Sequence, residues 1–319
     1  MKRMDLATSS SCNLCGSSGP HRIVLHKDDD PRRNEVITLY RCPACHGVFL
    51  NSIPESFDDE LYSYYVRHQT RPSNSLYPAL TNSRYLALLE RWEHLVPGRH
   101  LLDVGCGIGA FVKAAVANGW AAKGIDLAEA AIDIGCSHGL PISQNDFFSD
   151  AFELGSQDMI TMFEFIEHVP NPGKFLQRAE EILKPGGLLY VTTPNFNSID
   201  RLVMGSAWDV IHHEHLSYFT PSTLAQLVSK TTDFEILETH AKNISTATLK
   251  AFMHRRRSEG AKADAPESDQ LRQQIEDSAL LRRLKYAVNI MLDASRLGSA
   301  MTMMLRKRAS TEVGGDRKQ

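Results

Sequence analysis

Residues 101–109, LLDVGCGIG, form an apolar run that carries one acid, Asp103, and opens into three glycines, Gly105, Gly107 and Gly109, where a helical pattern begins. Few folds accept such a segment. It reads as the strand, tight loop and helix start of an open α/β sheet, and it builds a ligand loop. Glycines let the backbone turn with positive φ and approach a ligand with no Cβ in the way. The helix that follows aims its first amides at the loop and favours electron-rich groups there. Asp103 suits a cationic or hydroxylated ligand better than a pyrophosphate. A dinucleotide loop of the form G-x-G-x-x-A uses the same letters, so the rest of the chain decides between ligands.

From residue 100 to 254, strand-like and helix-like segments alternate, the pattern of a mostly parallel sheet covered on both faces. Strands are expected at 100–104, 121–125, 141–144, 158–163 and 188–193, helices at 110–118, 128–138, 172–183 and 221–230, and a closing strand pair at 234–238 and 248–253. Asp126 ends the second strand about 20 residues past the glycines, where an acid accepts hydrogen bonds from ribose hydroxyls or caps the next helix. Asp146 and Phe147 follow the third strand; they meet a purine ring there, or serve as turn residue and core aromatic. Phe163 and Glu164 end the fourth strand and face the crevice of Gly105, because ligands of such sheets lie beyond the carboxyl ends of the strands.

Ahead of this core stand Cys12-Asn-Leu-Cys15 and Cys42-Pro-Ala-Cys45, two C-x-x-C units with 26 residues between them. Each unit puts two thiolates on one turn, and two units complete the tetrahedral sulfur site that zinc prefers. Four thiolates leave no open position, so a structural zinc is expected and His46, next to the second pair, is not needed as a ligand. Strand-like runs at 22–26 and 35–40 flank a turn at 28–31. The chain thus divides into a zinc-binding ribbon (1–55), a helical linker or lid (56–98), an α/β core (99–257) and a polar linker with an amphipathic helical tail (258–319). The segment SFDDELYSYY at 56–65 packs its aromatic side on the core, or acts as a lid bearing Tyr64 and Tyr65.

No apolar run reaches the roughly 18 residues that cross a bilayer, and MKRMDLATSSS lacks a signal-peptide pattern, so a cytoplasmic protein is expected. In a reducing compartment cysteines serve as ligands or buried thiols, not disulfides. A net charge of −3 gives no reason to expect nucleic acid as a partner. The charge is uneven: from Arg255 onward 14 Lys and Arg face 9 Asp and Glu, leaving +5 there and −8 elsewhere. Apolar residues of the tail, from Leu271 to Leu297 and Met304, recur near helical spacing among Arg282, Arg283 and Lys285. Such a tail packs on the core, joins a second subunit in a homodimer, or touches an anionic membrane.

Taken in order, DVGCGIG, the acid in GIDLAEAAI, the segment DMITMFEFIEHVPNPGKFLQRAEEILKPGGLLYVTTPN and the later HEHLSYFTPSTL resemble the class I S-adenosylmethionine-dependent methyltransferases. They are most similar to the branch acting on sugars, quinones and small metabolites, and the paired C-x-x-C front resembles the zinc module of some of its sugar methyltransferases. The resemblance implies a Rossmann-like sheet of seven strands, the last antiparallel to the others, with S-adenosylmethionine as cofactor. It implies that Asp103, Gly105, Gly107 and Gly109 hold the methionine portion, Asp126 the ribose, Asp146 and Phe147 the adenine, and that Phe163 flanks the sulfonium. The acceptor it implies is a sugar, nucleotide- or lipid-linked, or a related small metabolite. Two rivals fit parts of the chain: ribosomal RNA methylation with a zinc module, and an NAD-dependent nucleotide-sugar dehydrogenase or epimerase.

Methyl transfer asks an enzyme for positioning and usually one base. His212-His213-Glu214-His215 follows the fifth strand, in the long connection that this family uses as its substrate wall. A histidine takes a proton from a hydroxyl near neutral pH, and a carboxylate can orient it. In similar sugar C-methyltransferases a Glu-His pair at this point does the acid-base work, so Glu214 and His215, with His213, are the catalytic candidates. The competing role is to hydrogen-bond the loop and cap the following helix. Glu167-His168 forms a second pair, expected to anchor the fourth strand to its helix, and Trp208 and Tyr218 read as core.

Overall fold

The structure is a computed structural model that describes residues 6–7, 11–27, 36–50, 79–245, 247–249 and 278–309. The turn at 28–31, the lid segment 56–65 and the polar linker 258–270 lie outside the described residues.

Strands β1 (Leu6–Ala7), β2 (His21–Lys27), β3 (Ile37–Arg41) and β4 (Val48–Leu50) form an antiparallel N-terminal meander. Helix α1 (Ala79–Trp92) leads into the core. There β5 (His100–Val104), α2 (Ala110–Ala117), β6 (Ala121–Asp126), α3 (Glu129–Ser137), β7 (Ile142–Gln144), β8 (Gln157–Phe163), α4 (Pro172–Ile182) and β9 (Leu183–Pro194) follow the expected alternation within a few residues. After them come α5 (Ile199–Met204), β10 (Ser217–Tyr218), α6 (Pro221–Thr231), β11 (Glu235–Lys242), α7 (Ala279–Ser295) and β12 (Ala300–Arg306).

The main sheet has the order β7-β6-β5-β8-β9-β12-β11, parallel from β7 to β9, with β12 antiparallel to both neighbours. Its central strands are buried on both faces because helices cover them; in β8 all of Asp158 to Met162 are buried. Local chemistry starts the helices where expected. Asn171 accepts from the Lys174 amide with Pro172 at the first turn of α4, and Thr220 and Thr223 close a capping box on α6.

The closing strand is a correction. It was expected at 248–253, but β12 comes from Ala300–Arg306, inside the stretch expected to be helical, so the described part of the tail, 278–309, is a helix and then a sheet strand. Ala, Met and Leu favour helices, yet Met301, Met303 and Leu305 alternate on one face, each at most 1% exposed. Inserted between β9 and β11, the segment pairs both of their edges, which no exposed helix can do.

The N-terminal sheet is completed from the core. Strand β10, which follows the HHEH segment, pairs antiparallel with β4 through Ser217–Phe49 and Tyr218–Val48. Lys27 Nζ donates to the Ile211 carbonyl at 2.7 Å and Asn13 Nδ2 to that of Leu216 at 3.2 Å. Ile37, Leu39, Val48 and Leu50 share one apolar cluster with Trp208, Ile211 and Tyr218. Each such side chain contributes roughly 1.5–3 kcal/mol by burial, so the ribbon holds the connection between β9 and α6.

Candidate functional site

The four N-terminal cysteines converge. Cys12 Sγ lies 3.6 Å from Cys45 Sγ, and Cys15 Sγ lies 3.7 Å from Cys42 Sγ. A tetrahedron of sulfurs about 2.3 Å from a central zinc has edges near 3.8 Å, so the donor set has the size zinc needs. The two turns are equivalent: the carbonyls of Cys12 and Cys42 accept from the amides of Gly16 and His46, and their amides donate to Ser17 and Gly47. The residues just after each pair, Gly16 and His46, have positive φ (70° and 59°). His46 thus shapes the turn and is outside the cluster of four. Hydrogen bonding from Cys12 pulls the Cys45 thiol down to about 5, and the same pairing pushes that of Cys12 up.

At the carboxyl end of the main sheet, Gly105, Gly107 and Gly109 have φ of 73°, 53° and 78°. A Cβ on Gly105 would lie 2.3 Å from the Phe165 ring, whereas nothing lies within 4 Å of one on Gly107, where the loop stays open. Beneath it Asp103, 3% exposed, accepts from the Thr161 hydroxyl at 2.6 Å. Burial pushes its carboxyl up to about 7, Thr161 opposing and the Asp126 charge adding to the shift. Asp126 accepts from the Gly107 amide at 2.9 Å and from that of Ala128 at 3.0 Å, so it pins the loop and the residue that precedes α3, without capping that helix. Asp146 accepts from the Phe148 amide in a turn. Two buried acids under an open glycine loop fit an adenosyl ligand with a cationic amino acid end.

Two aromatic expectations change. Phe147 is 3% exposed, with Phe148, Phe152 and Phe175 around it, and is a core residue. Phe163 turns its ring to Tyr85, Phe111 and Tyr190 on the side of α1 and α2, because successive residues of a strand face opposite ways. The aromatic against the glycine loop is Phe165, which sequence reasoning passed over. Between them Glu164 has φ of 46°, rare outside glycine and asparagine, and its Oε1 accepts from the Thr192 hydroxyl at 2.9 Å.

His213 and His215 are 7% exposed, and Trp208 and Tyr218 are buried as expected. The group that meets His215 is the Glu167-His168 pair. One donor atom from each of Glu167, His168 and His215 lies within 4.8 Å of the others. The ring of His215 sits 4.6 Å from that of His168 and 3.8 Å from that of His212. His215 Nδ1 donates to the Val210 carbonyl at 2.8 Å, so a backbone oxygen holds this ring. The backbone of Glu167 also anchors, its carbonyl accepting from the amides of Leu216 and Ser217. Burial pushes the Glu167 carboxyl well up and brings the His168 imidazole down to about 4, which leaves His168 neutral at pH 7. The signal for Glu167 in the sequence was its place beyond the carboxyl end of the fourth strand.

A family model described as a methyltransferase domain matches residues 78–239. A ubiquinone biosynthesis O-methyltransferase of Burkholderia orbicola (strain MC0-3) is 30% identical over 167 residues, 48% of this chain and 71% of the relative. One of Burkholderia multivorans is 31% identical with the same coverage. Among solved structures, a SAM-dependent methyltransferase from Archaeoglobus fulgidus has a TM-score of 0.50 at 17% identity, covering 77% of this chain and all of the other. Phosphoethanolamine N-methyltransferase 2 of Haemonchus contortus, in complex with S-adenosyl-L-methionine, has a TM-score of 0.51 at 16% identity, over 82% of this chain and 62% of that one. These two likenesses concern the fold.

Proposed function

The chain belongs to the class I S-adenosylmethionine-dependent methyltransferases, and from that membership we propose that it methylates a hydroxyl or carbanion of a carbohydrate or related small metabolite, nucleotide- or lipid-linked. The rival reading as an NAD-dependent dehydrogenase or epimerase falls with the family. Bound S-adenosylmethionine supplies an electrophilic methyl on a sulfonium and leaves as S-adenosylhomocysteine, while the acceptor gives up one proton.

This chain's residues do the rest. Asp103 and the loop of Gly105, Gly107 and Gly109 hold the methionine portion, Asp126 the ribose and Asp146 the adenine edge, with Phe165 beside the loop. The observation that carries the acceptor assignment is the chemistry of the HHEH wall. Buried imidazoles of His212, His213 and His215 with Glu167 make it polar, which suits a hydroxyl-rich acceptor better than a lipid-tailed ring that wants an apolar slot. His215 is the first candidate to take the acceptor's proton, then Glu214 and His213. Zinc in the four cysteines is structural and steadies the wall through β4 and β10. Exposed Leu280, Leu284 and Met291 on α7, beside Arg282, Arg283 and Lys285, support a peripheral contact with an anionic membrane.

The test is turnover of S-adenosylmethionine against panels of nucleotide sugars, glycolipid headgroups and catechols, with products weighed by mass spectrometry. A methyl gained by a sugar, and lost in His215→Gln while S-adenosylhomocysteine still binds, is the expected result. Methylation of catechols alone would overturn the acceptor class.

A further inference from the structure

Three arginines gather where the N-terminal ribbon meets α5, and the reaction as described uses none of them. Arg22 of β2 lies directly opposite Arg41 of β3 in the antiparallel register. The two-residue period of β3 turns Arg41 to the side of Ile37 and Leu39, which share an apolar cluster with Phe196. Arg201 of α5 comes to the same place, its guanidinium carbon 4.6 Å above the Phe196 ring. The charges act on one another: burial first and then Arg22 lower the pKa of Arg41, and burial and then Arg41 lower that of Arg201. Like charges directly opposite destabilise a strand pair, and an anion between them relieves that. Among the described residues none of the three arginines pairs with a carboxylate.

Backbone oxygens orient two of these side chains. Arg41 Nη1 donates to the His46 carbonyl at 3.1 Å, and Arg201 Nε donates to that of Phe196. Each contact uses one of the five hydrogens on a guanidinium, so most donors stay open, those on both Nη atoms of Arg201 among them. Converging guanidiniums with open forks match the oxygens of a phosphoryl group. From this convergence we infer that Arg22, Arg41 and Arg201 bind a phosphate or diphosphate group. The rings beside Arg201 lead on to the HHEH segment: Phe196 packs edge-on against Tyr218 with centroids 5.7 Å apart, and the Tyr218 ring lies 6.0 Å from that of His215. A sugar at His215 and a phosphoryl group at the arginines flank the same two rings, as the parts of one nucleotide- or lipid-linked acceptor would. That role, though not the anion site itself, rests on the proposed acceptor class.

The zinc-loaded full chain is titrated in a calorimeter with uridine diphosphate and with uridine, and floated with phosphatidylcholine vesicles with and without phosphatidic acid. Binding of uridine diphosphate but not uridine marks a nucleotide carrier, and flotation that needs phosphatidic acid marks a lipid one. Either is expected to weaken at least about tenfold in Arg22→Gln and in Arg201→Gln, and Arg22→Lys recovers only part, because an ammonium lacks the fork. Arg22 is exposed and donates no hydrogen bond among the described residues, so its variants keep the fold and decide the matter even if Arg201→Gln does not fold. A wild-type chain that binds neither probe overturns the site, as do folded variants that bind like wild type. Turnover of a sugar acceptor separates the two ideas. Sugar methylation with KM unchanged in Arg22→Gln sinks the arginine site as an acceptor anchor, and phosphoryl binding that needs the arginines, with no sugar methylated, sinks the acceptor class alone.

Discussion

Binding of the cofactor product is expected to depend on pH through Asp103. Its carboxyl sits at about 7 because it is wholly buried, held by Thr161 and pushed further by Asp126, with the Cys106 thiol also near. A cationic α-ammonium beside it needs the carboxylate, so binding below that value has to remove a proton first. The folded free protein holds the proton below its raised pKa and releases it above, so affinity rises as pH rises through 7. With one carboxyl returned toward its ordinary value by the ligand, affinity for S-adenosylhomocysteine is about tenfold higher at pH 8 than at pH 6, or about 1.4 kcal/mol. Close to one proton is then released per ligand at pH 6, and about a tenth of one at pH 8. Calorimetry in two buffers of different ionisation enthalpy reads both quantities. Asp103→Asn binds more weakly and loses the pH dependence that Asp103 contributes. Equal affinity at pH 6 and 8 in the wild type, with no proton released, would refute the reasoning.

Asp158→Ala should destabilise the fold by about 2–4 kcal/mol in denaturant titration, since it removes a buried carboxylate bonded to Lys184 Nζ at 2.9 and 3.0 Å and to the His100 amide at 3.0 Å; a change under about 0.5 kcal/mol would contradict it. Gly105→Ala and Gly107→Ala both strain a positive φ, at about 1 kcal/mol each, but only Gly105→Ala also drives a Cβ into Phe165. Both should lose cofactor binding in calorimetry, and Gly105→Ala should have the lower melting temperature. A chain ending at residue 277 lacks β12 and should show no cooperative unfolding by circular dichroism; a normal transition would deny that strand its central place. With zinc in the four cysteines, as proposed, a chelator should speed hydrogen exchange at the Leu50 amide, which bonds the Leu216 carbonyl, and unchanged protection there would uncouple the ribbon from the HHEH segment.

Much of this was legible in the chain before any tertiary contact was known. Strand and helix alternation from 100 to 242, the glycine loop, the paired cysteines and the helix starts at 172 and 221 are each written within a few consecutive residues. Periodicity, φ preference and turn chemistry act at that range, so local reading suffices. Tertiary structure alone decided which residues close the sheet, because Met301, Met303 and Leu305 read equally well as helix until the open edges of β9 and β11 are there to be paired. It also chose Phe165 over Phe163, and brought Glu167 and His168 against His215 across 47 residues of chain (215 − 168). Burial and edge pairing act between segments far apart in sequence, and they leave no mark on either segment taken singly.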